Sequence, residues 1–184
     1  PDLYGHVHAA ESLYKVGWKG SDVALGTAFQ QVESPRLKLM AAAALAKHGS
    51  APDRASALRF LRSHFTTTTD PADYRISAWI LARVGEDEDI ERIRSRVDNA
   101  EIEAMLQHAL AMLGDAQGEA QLLKNLSSPD PAIRTYAAVF AGEAGVVKAV
   151  PQLITQLYDE GLDARIRAAQ ALFVLANTKA TPAL

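Results

Sequence analysis

The stretch that decides the fold class is DPAIRTYAAVFAGEAG (130–145), followed by AVPQLITQL (149–157). Asp130 is a residue type that caps helix N-termini, Pro131 suits the first helical position, and Gly145 suits the position just after a last helical turn. The second segment then places apolar side chains at helical spacing, at Val150, Leu153, Ile154 and Leu157. The stretch therefore predicts a first helix (A), a glycine turn and a second helix (B).

The same start and stop signals recur along the chain. Five capping residues each stand fifteen positions before a glycine, in the pairs Asp2–Gly17, Ser34–Gly49, Asp70–Gly85, Asn99–Gly114 and Asp130–Gly145. These pairs follow one another at steps of 32, 36, 29 and 31 residues. Because a lone helical hairpin cannot bury both of its faces, a series of hairpins indicates a stacked repeat array.

The fifth unit also resembles a known family. Its Asp130, Arg134, Ala137 and Ala138, with the AVP segment that begins at Ala149, fit the pattern D-x-x-V-R-x-x-A-A-x-A-L-G-x-x-G followed by A-V-P-x-L. This pattern is similar to the HEAT-like repeats of the phycobilin-lyase type. The resemblance implies an α-solenoid, and units of this kind occur in chromophore lyases, in scaffolds and as modules of bacterial secreted enzymes.

Other repeats fit the family pattern to different degrees. The fourth departs from it, with Glu103 in place of the arginine. The phrases VHAAE (7–11) and YRISAW (74–79) resemble bacterial HEAT-like modules attached to hydrolases such as sulfatases.

We therefore predict an all-α fold, a right-handed α-solenoid (a HEAT-like or armadillo-like superhelix) of about five and a half helical hairpins. A single repeat domain is expected to span 1–184, with helices A outside and helices B inside. Its predicted units are 2–32, 34–65, 70–97, 99–126, 130–158 and a half-repeat at 162–177.

Two segments are expected to interrupt this pattern. The tract Thr66–Thr69 is a poor helix former and is expected to be a loop, because β-branched threonine loses side-chain freedom in a helix. The half-repeat at 162–177 has no helix B after it, so part of its apolar run Phe173, Val174, Leu175 is expected to be bare. We expect this face to meet a partner or the rest of a longer chain.

Composition narrows the functional classes. The chain has 184 residues, 48% of them hydrophobic, which argues against disorder. Its formal charge of −3 argues against a nucleic-acid-binding protein, which is usually strongly basic. It has no cysteine for a thiolate metal site and no apolar run long enough to span a membrane. The compartment stays open: cytoplasmic, or periplasmic if the chain is a processed fragment.

Arginines on two B helices are the best candidate binding surface. In the predicted architecture B helices line the concave side, and the pairs Arg59/Arg62 and Arg92/Arg96 lie one turn apart. Together with His64 they are expected to bind an anionic group. The alternative is a solvated face paired to carboxylates such as Glu88 and Glu91.

Acid-then-arginine pairs recur as well. They are Asp70/Arg75, Asp130/Arg134 and Asp163/Arg167, and they suggest either a binding ladder or contacts between adjacent repeats.

No other cluster predicts chemistry. His6, His8 and Glu11 are dense, but the two histidines lie on different sides of a helix, so the three cannot converge on one ion. The acidic run 86–89 lacks the spacing of a calcium loop and is expected to favour the start of a helix. No catalytic motif is present in the sequence, so we expect no catalytic residues, metal or cofactor.

The first functional hypothesis is a non-catalytic protein-interaction or scaffold module of a larger bacterial protein. Its concave B-helix face would bind a protein partner or another part of its own longer chain. The alternative is an accessory or lyase-like domain of a larger enzyme, either a chromophore lyase or an appendage of a secreted hydrolase or sulfatase. A third hypothesis, a HEAT-like DNA-binding protein, conflicts with the net charge. The oligomeric state stays open.

Overall fold

The structure is a computed structural model that describes residues 3–17, 19–30, 34–96 and 103–178. Within these ranges every regular element is helical, with eleven α-helices, one 3₁₀ turn and no strand. The prediction of an all-α fold is confirmed. The chain divides into two compact units, Pro1–Asp89 and Ile90–Leu184.

The first unit is built around one helix. Its elements are α1 (Leu3–Val16), α2 (Asp22–Phe29), α3 (Pro35–His48), α4 (Ala51–Thr67), α5 (Pro71–Val84) and the beginning of α6 (Glu88–Arg94). Helix α3 packs against α1, α2, α4 and α5, and its residues 41–46 are all buried. Five of these six residues are alanines, whose short side chains let neighbouring helices approach closely on several sides.

The second unit is organised around a different A helix. Its elements are the remainder of α6, then α7 (Glu103–Met112), α8 (Ala116–Asn125), α9 (Pro131–Glu143), the 3₁₀ turn Val147–Ala149, α10 (Val150–Gln156) and α11 (Leu162–Thr178). Helix α9 packs against α7, α8 and α11. A Cβ atom added to Gly142 would lie 2.9 Å from Ala171 Cα, so the glycine sets the close approach of α9 and α11.

Three of the predicted helix starts are confirmed in atomic detail. The side chains of Ser34, Asp70 and Asp130 each accept a hydrogen bond from a first-turn backbone N–H, and each is followed by a proline in the first helical turn. Asp2 and Asn99, the other two predicted caps, lie outside the described residues.

The glycine stops are of two kinds. The backbone adopts a left-handed conformation at Gly17, Gly114 and Gly145, where φ is 63°, 84° and 68°. At Gly49 and Gly85 the backbone is extended, with φ of −72° and −70°. In these two a Cβ would lie 2.6 Å and 2.4 Å from the carbonyl oxygens of the residues four positions earlier, so glycine is needed there for space.

The prediction for the threonine tract is wrong for its first two residues. Helix α4 continues through Thr67, and the hydroxyls of Thr66 and Thr67 donate to the carbonyl oxygens of Arg62 and Ser63. These bonds to the preceding turn keep both residues in the helix. The connection to α5 therefore begins at Thr68.

Candidate functional site

The predicted arginines on α4 have different surroundings. Arg59 is exposed, as a residue on a binding face should be. The side chain of Arg62, one turn later, is only 15% exposed and faces the segment that begins α6.

Arg62 binds three carboxylates. Its Nε and Nη2 donate to the two oxygens of Asp89, both at 2.9 Å, and Nη2 also donates to Glu86 at 2.9 Å. Its Nη1 pairs with Glu88. The side chain of Asp89 is 0% exposed, and its hydrogen bonds are the main reason that the pKa of Arg62 is raised. These four residues are called the Arg62 clasp below.

The clasp also organises the start of α6. An oxygen of Asp89 accepts the backbone N–H of Glu86 at 2.9 Å, so the acidic run supports the helix start through a specific hydrogen bond. The hydrogen bond from Arg62 lowers the pKa of Glu86. The pair of Arg62 with Glu88 is the one expected if these arginines form a solvated face paired to carboxylates. That Arg62 binds an external anion stays a prediction.

The other predicted site residues are at most half-exposed, and one of them lies outside a helix. His64 Nε2 is buried, lies 3.7 Å from Asp73 Oδ2 and makes no hydrogen bond to a described residue. Arg92 and Arg96 lie in the second unit and are half-buried. Helix α6 ends at Arg94, so Arg92 lies in the helix and Arg96 in the turn that follows it.

Arg94, which was not among the chosen site residues, has a structural role like that of Arg62. It pairs with Glu91 and with Asp115, the capping residue of α8. Asp115 is buried and also accepts the backbone N–H of Gly118 at 2.8 Å. An arginine at the end of one B helix thus binds the carboxylate that starts the next.

The exposed side of α10 is mostly apolar. Pro151, Ile154 and Thr155 of α10 and Tyr158, in the turn that follows it, are spaced at i, i+3, i+4 and i+7, and all are exposed. Ile154 is 50% and Tyr158 87% exposed. These four residues are called the α10 stripe below. Sequence reasoning placed Ile154 with the buried face of this helix, because α10 carries apolar residues on two sides.

A cavity of about 930 Å³ opens beside the α10 stripe. One wall is the link between α8 and α9, and the other is the link between α10 and α11. Thr155 and Tyr158 of the α10 stripe contribute to its lining, so the stripe and the groove form a continuous surface.

Arg134 holds the two walls of this groove together. Its Nη1 donates to the carbonyl oxygens of Ser128 and Pro129 at 2.8 and 3.0 Å. Its Nε and Nη2 donate to both oxygens of Asp159, at 2.7 and 3.0 Å, and this pairing lowers the pKa of Asp159. In the acid-then-arginine pattern Arg134 follows Asp130, whereas the carboxylate of Asp159, which Arg134 hydrogen-bonds, lies 25 residues later in the chain.

The floor of the groove includes one buried amide. Gln156 Nε2 donates to the carbonyl oxygen of Leu126 at 2.7 Å, which ties α10 to the end of α8. Its Oε1 is buried and accepts no hydrogen bond from the described residues.

Among the described residues no group of three or more His, Asp or Glu side chains is placed to hold a metal ion. No helix in the described part of the chain has the length and apolar character needed to cross a membrane.

No protein-family model matches the chain, and a search of curated proteins finds no match either. The HEAT-like resemblance therefore rests on the residues of the repeats themselves.

Proposed function

We propose that the chain is a right-handed α-solenoid of HEAT-like hairpins that acts as a non-catalytic protein-interaction module. The alternation of a first helix, a turn and a second helix along the chain supports this architecture, since such hairpins gain stability by stacking on one another. In this proposal the second unit binds an extended segment of a partner protein along the α10 stripe and its groove.

The observation that carries the proposal is the apolar character of the α10 stripe. Ile154 and Tyr158 expose large apolar surfaces next to a groove, and such surfaces commonly mark protein-binding sites. Tyrosine is favoured at interfaces because its side chain has few rotatable bonds and offers both a large contact area and a hydroxyl group.

The polar groups of the groove fit a binding role. Arg134 is engaged by Asp159 and by two carbonyl oxygens, so its charge stabilises the walls and is not poised for a reaction. We place the binding surface on α10 in preference to the arginines of α4 and α6, because Arg62 already binds three carboxylates.

A selection from a phage-displayed library of random linear peptides tests this function. Selected peptides are titrated against the unmodified chain, the double variant Ile154→Ser/Tyr158→Ser and the control Val23→Ser. Val23 is 82% exposed in the first unit, so the control removes an exposed apolar side chain elsewhere.

We expect the double variant to bind the peptides at least about tenfold more weakly and the control to bind them normally. Failure to select any peptide, or equal binding to all three proteins, would contradict the proposal.

A further inference from the structure

Tyr158 and Glu160 lie two residues apart in the link between α10 and α11, and both line the groove. Both are exposed, Tyr158 by 87%. The backbone carbonyl oxygen of Glu160 accepts a hydrogen bond from Arg165, whereas its carboxylate makes no hydrogen bond or ion pair with a described residue. The link therefore offers the groove an aromatic ring and an unpaired carboxylate.

The backbone of this link is held by several hydrogen bonds. Asp159 Oδ1 accepts the backbone N–H of Gly161 at 2.8 Å. Arg165 Nη1 donates to the carbonyl oxygens of Asp159 and Glu160 at 2.8 and 3.3 Å. Because the backbone that carries Glu160 is already fixed, less conformational freedom is lost when its carboxylate binds a ligand.

The groove has an excess of negative charge. The charged side chains that line it are those of Arg134, Asp159 and Glu160. Arg134 binds both oxygens of Asp159, so these two charges compensate each other. The pKa of Arg134 is raised mainly by its hydrogen bond to Asp159, and the charge of Glu160 makes only a smaller contribution. Charge complementarity therefore favours a cationic group in the ligand.

The groove also contains an unused hydrogen-bond acceptor. Gln156, which lines the groove, is 5% exposed, and its Nε2 donates to the carbonyl oxygen of Leu126. Its Oε1 accepts no hydrogen bond from a described residue, and an unsatisfied buried acceptor costs free energy. Glu160 and Gln156 therefore favour the same ligand chemistry, a group that donates hydrogen bonds.

Among cationic side chains, arginine fits these groups better than lysine. Its planar guanidinium stacks on the face of a tyrosine ring while the N–H groups at its edge pair with a carboxylate. A lysine ammonium is a compact and strongly hydrated charge, so it gains less from an aromatic face. An exposed tyrosine beside an unpaired glutamate is therefore the surrounding that a guanidinium prefers.

We propose that the partner segment bound at the α10 stripe carries an arginine, which stacks on Tyr158 and pairs with Glu160. This inference rests on the proposed function, because the arginine belongs to the same segment whose apolar side chains contact the α10 stripe. It states which segments bind there. A segment with an acidic side chain at this position is rejected, since its charge would face Glu160.

The peptides selected on the unmodified chain test this inference. They are titrated at low salt against the unmodified chain, Glu160→Gln, Tyr158→Leu and the control Asp163→Asn. Asp163 is exposed in the first turn of α11 and does not line the groove, so its variant removes the same charge elsewhere. Tyr158→Leu keeps a large apolar side chain and removes the aromatic ring. Melting curves establish that every variant is folded.

We expect the selected peptides to share an arginine. Binding should weaken about fivefold for Glu160→Gln and about threefold for Tyr158→Leu, and should be unchanged for Asp163→Asn. Replacing the arginine of the peptide by glutamine should remove both differences, as expected for direct contacts. Added salt should reduce the effect of Glu160→Gln, because exposed ion pairs are screened.

The failure of this inference is distinguishable from the failure of the proposed function. Peptides that bind Ile154→Ser/Tyr158→Ser weakly but Glu160→Gln normally would overturn the arginine site and leave the α10 stripe as the binding surface. Selected peptides that share a lysine in place of arginine would overturn it too. Peptides that bind Ile154→Ser/Tyr158→Ser normally, or a library that yields no binder, would contradict the proposed function and the arginine site with it.

Discussion

In the first unit Arg62 closes on three carboxylates, and α4 exposes small or polar residues such as Ala55, Arg59 and Ser63. In the second unit the B helix α10 and the turn that follows it expose Ile154 and Tyr158 beside a groove. From the sequence alone the arginines are the better candidate for a binding surface, because a cluster of arginines predicts an anion-binding site. An isoleucine at helical spacing with other apolar residues predicts a buried position. The comparison teaches that a cluster of charges can be used up in pairing with a neighbouring segment, as it is at Arg62, while large apolar side chains such as Ile154 stay exposed elsewhere.

The interiors of the two units differ as well. The first unit contains the ionic Arg62 clasp. The second buries a neutral histidine: His108 lies against the ring of Phe140, its Nε2 is 3.1 Å from Asn125 Nδ2, and its Nδ1 has no hydrogen-bond partner among the described residues. Burial lowers the pKa of His108 to about 4. The two units should therefore respond differently to the loss of a charged partner and to acid.

The largest expected effect is that of Arg62→Gln. Because Asp89 is fully buried, removing its arginine leaves an uncompensated charge, and the free energy of unfolding should fall by about 4 kcal/mol. Both tryptophans of the chain fall in the sequence of the first unit, so urea unfolding followed by tryptophan fluorescence reports on it.

Arg59→Gln is the matched control for the clasp, since it removes the same charge from an exposed position of the same helix. It should change the free energy of unfolding by less than about 0.5 kcal/mol. The double variant Arg62→Gln/Asp89→Asn should lose less than the sum of its single variants. Equal losses for Arg62→Gln and Arg59→Gln would contradict the structural role of the clasp.

Acid should destabilise the second unit before it weakens the clasp. An unfolded histidine has a pKa of 6.5 and folded His108 one of about 4, so the unfolded chain takes up a proton as the pH falls through this window and the folded protein does not. Stability should therefore fall with pH between these values, by about 3 kcal/mol in total. Urea unfolding followed by circular dichroism at pH 7, 5.5 and 4 measures this loss.

His108→Gln should remove most of this loss between pH 6.5 and 4, and parallel pH profiles for the variant and the unmodified chain would refute the assignment. The clasp follows a different course. The hydrogen bond from Arg62 lowers the pKa of Glu86 below its usual 4.5. The stabilisation from this pair is therefore fully present above pH 4.5 and is lost only as the pH falls through the lowered pKa.

Gly142→Val should have a smaller effect, confined to the packing of α9 against α11. The added Cβ would lie 2.9 Å and 3.1 Å from the Cα and Cβ of Ala171, and such overpacking costs about 2 kcal/mol. Thermal melting by circular dichroism checks it, with Ala169→Val, at an exposed position of α11, as the control. A melting temperature that is the same for both variants would show that the close approach does not matter.

The features that could be predicted from sequence are the local ones. The starts of α3, α5 and α9 depend on a capping side chain and a proline within a few residues of one another, so their signals are visible in the chain itself. The run of alanines in the middle of α3 is visible in the chain as well, and Ala41 and Ala42 are buried.

The candidate sites could not be predicted in the same way, because their contacts join distant residues. Arg62 and Asp89 are 27 residues apart, and Arg134 and Asp159 are 25 apart. From the sequence, a nearby acid such as Asp130 is an equally plausible partner for Arg134. Which carboxylate binds the arginine depends on which link the fold brings close to it. The exposure of Ile154 depends in turn on which side of α10 its neighbours cover.

A single titration series tests the central claim that the arginine cluster of the first unit is structural and that the α10 stripe is the binding surface. Peptides selected on the unmodified chain are titrated against Arg62→Gln and Ile154→Ser/Tyr158→Ser at a temperature where both variants are folded. The account predicts nearly normal affinity but a lowered melting temperature for Arg62→Gln, and at least about tenfold weaker binding with an unchanged melting temperature for the double variant. Lost affinity in Arg62→Gln together with normal affinity in the double variant would contradict it.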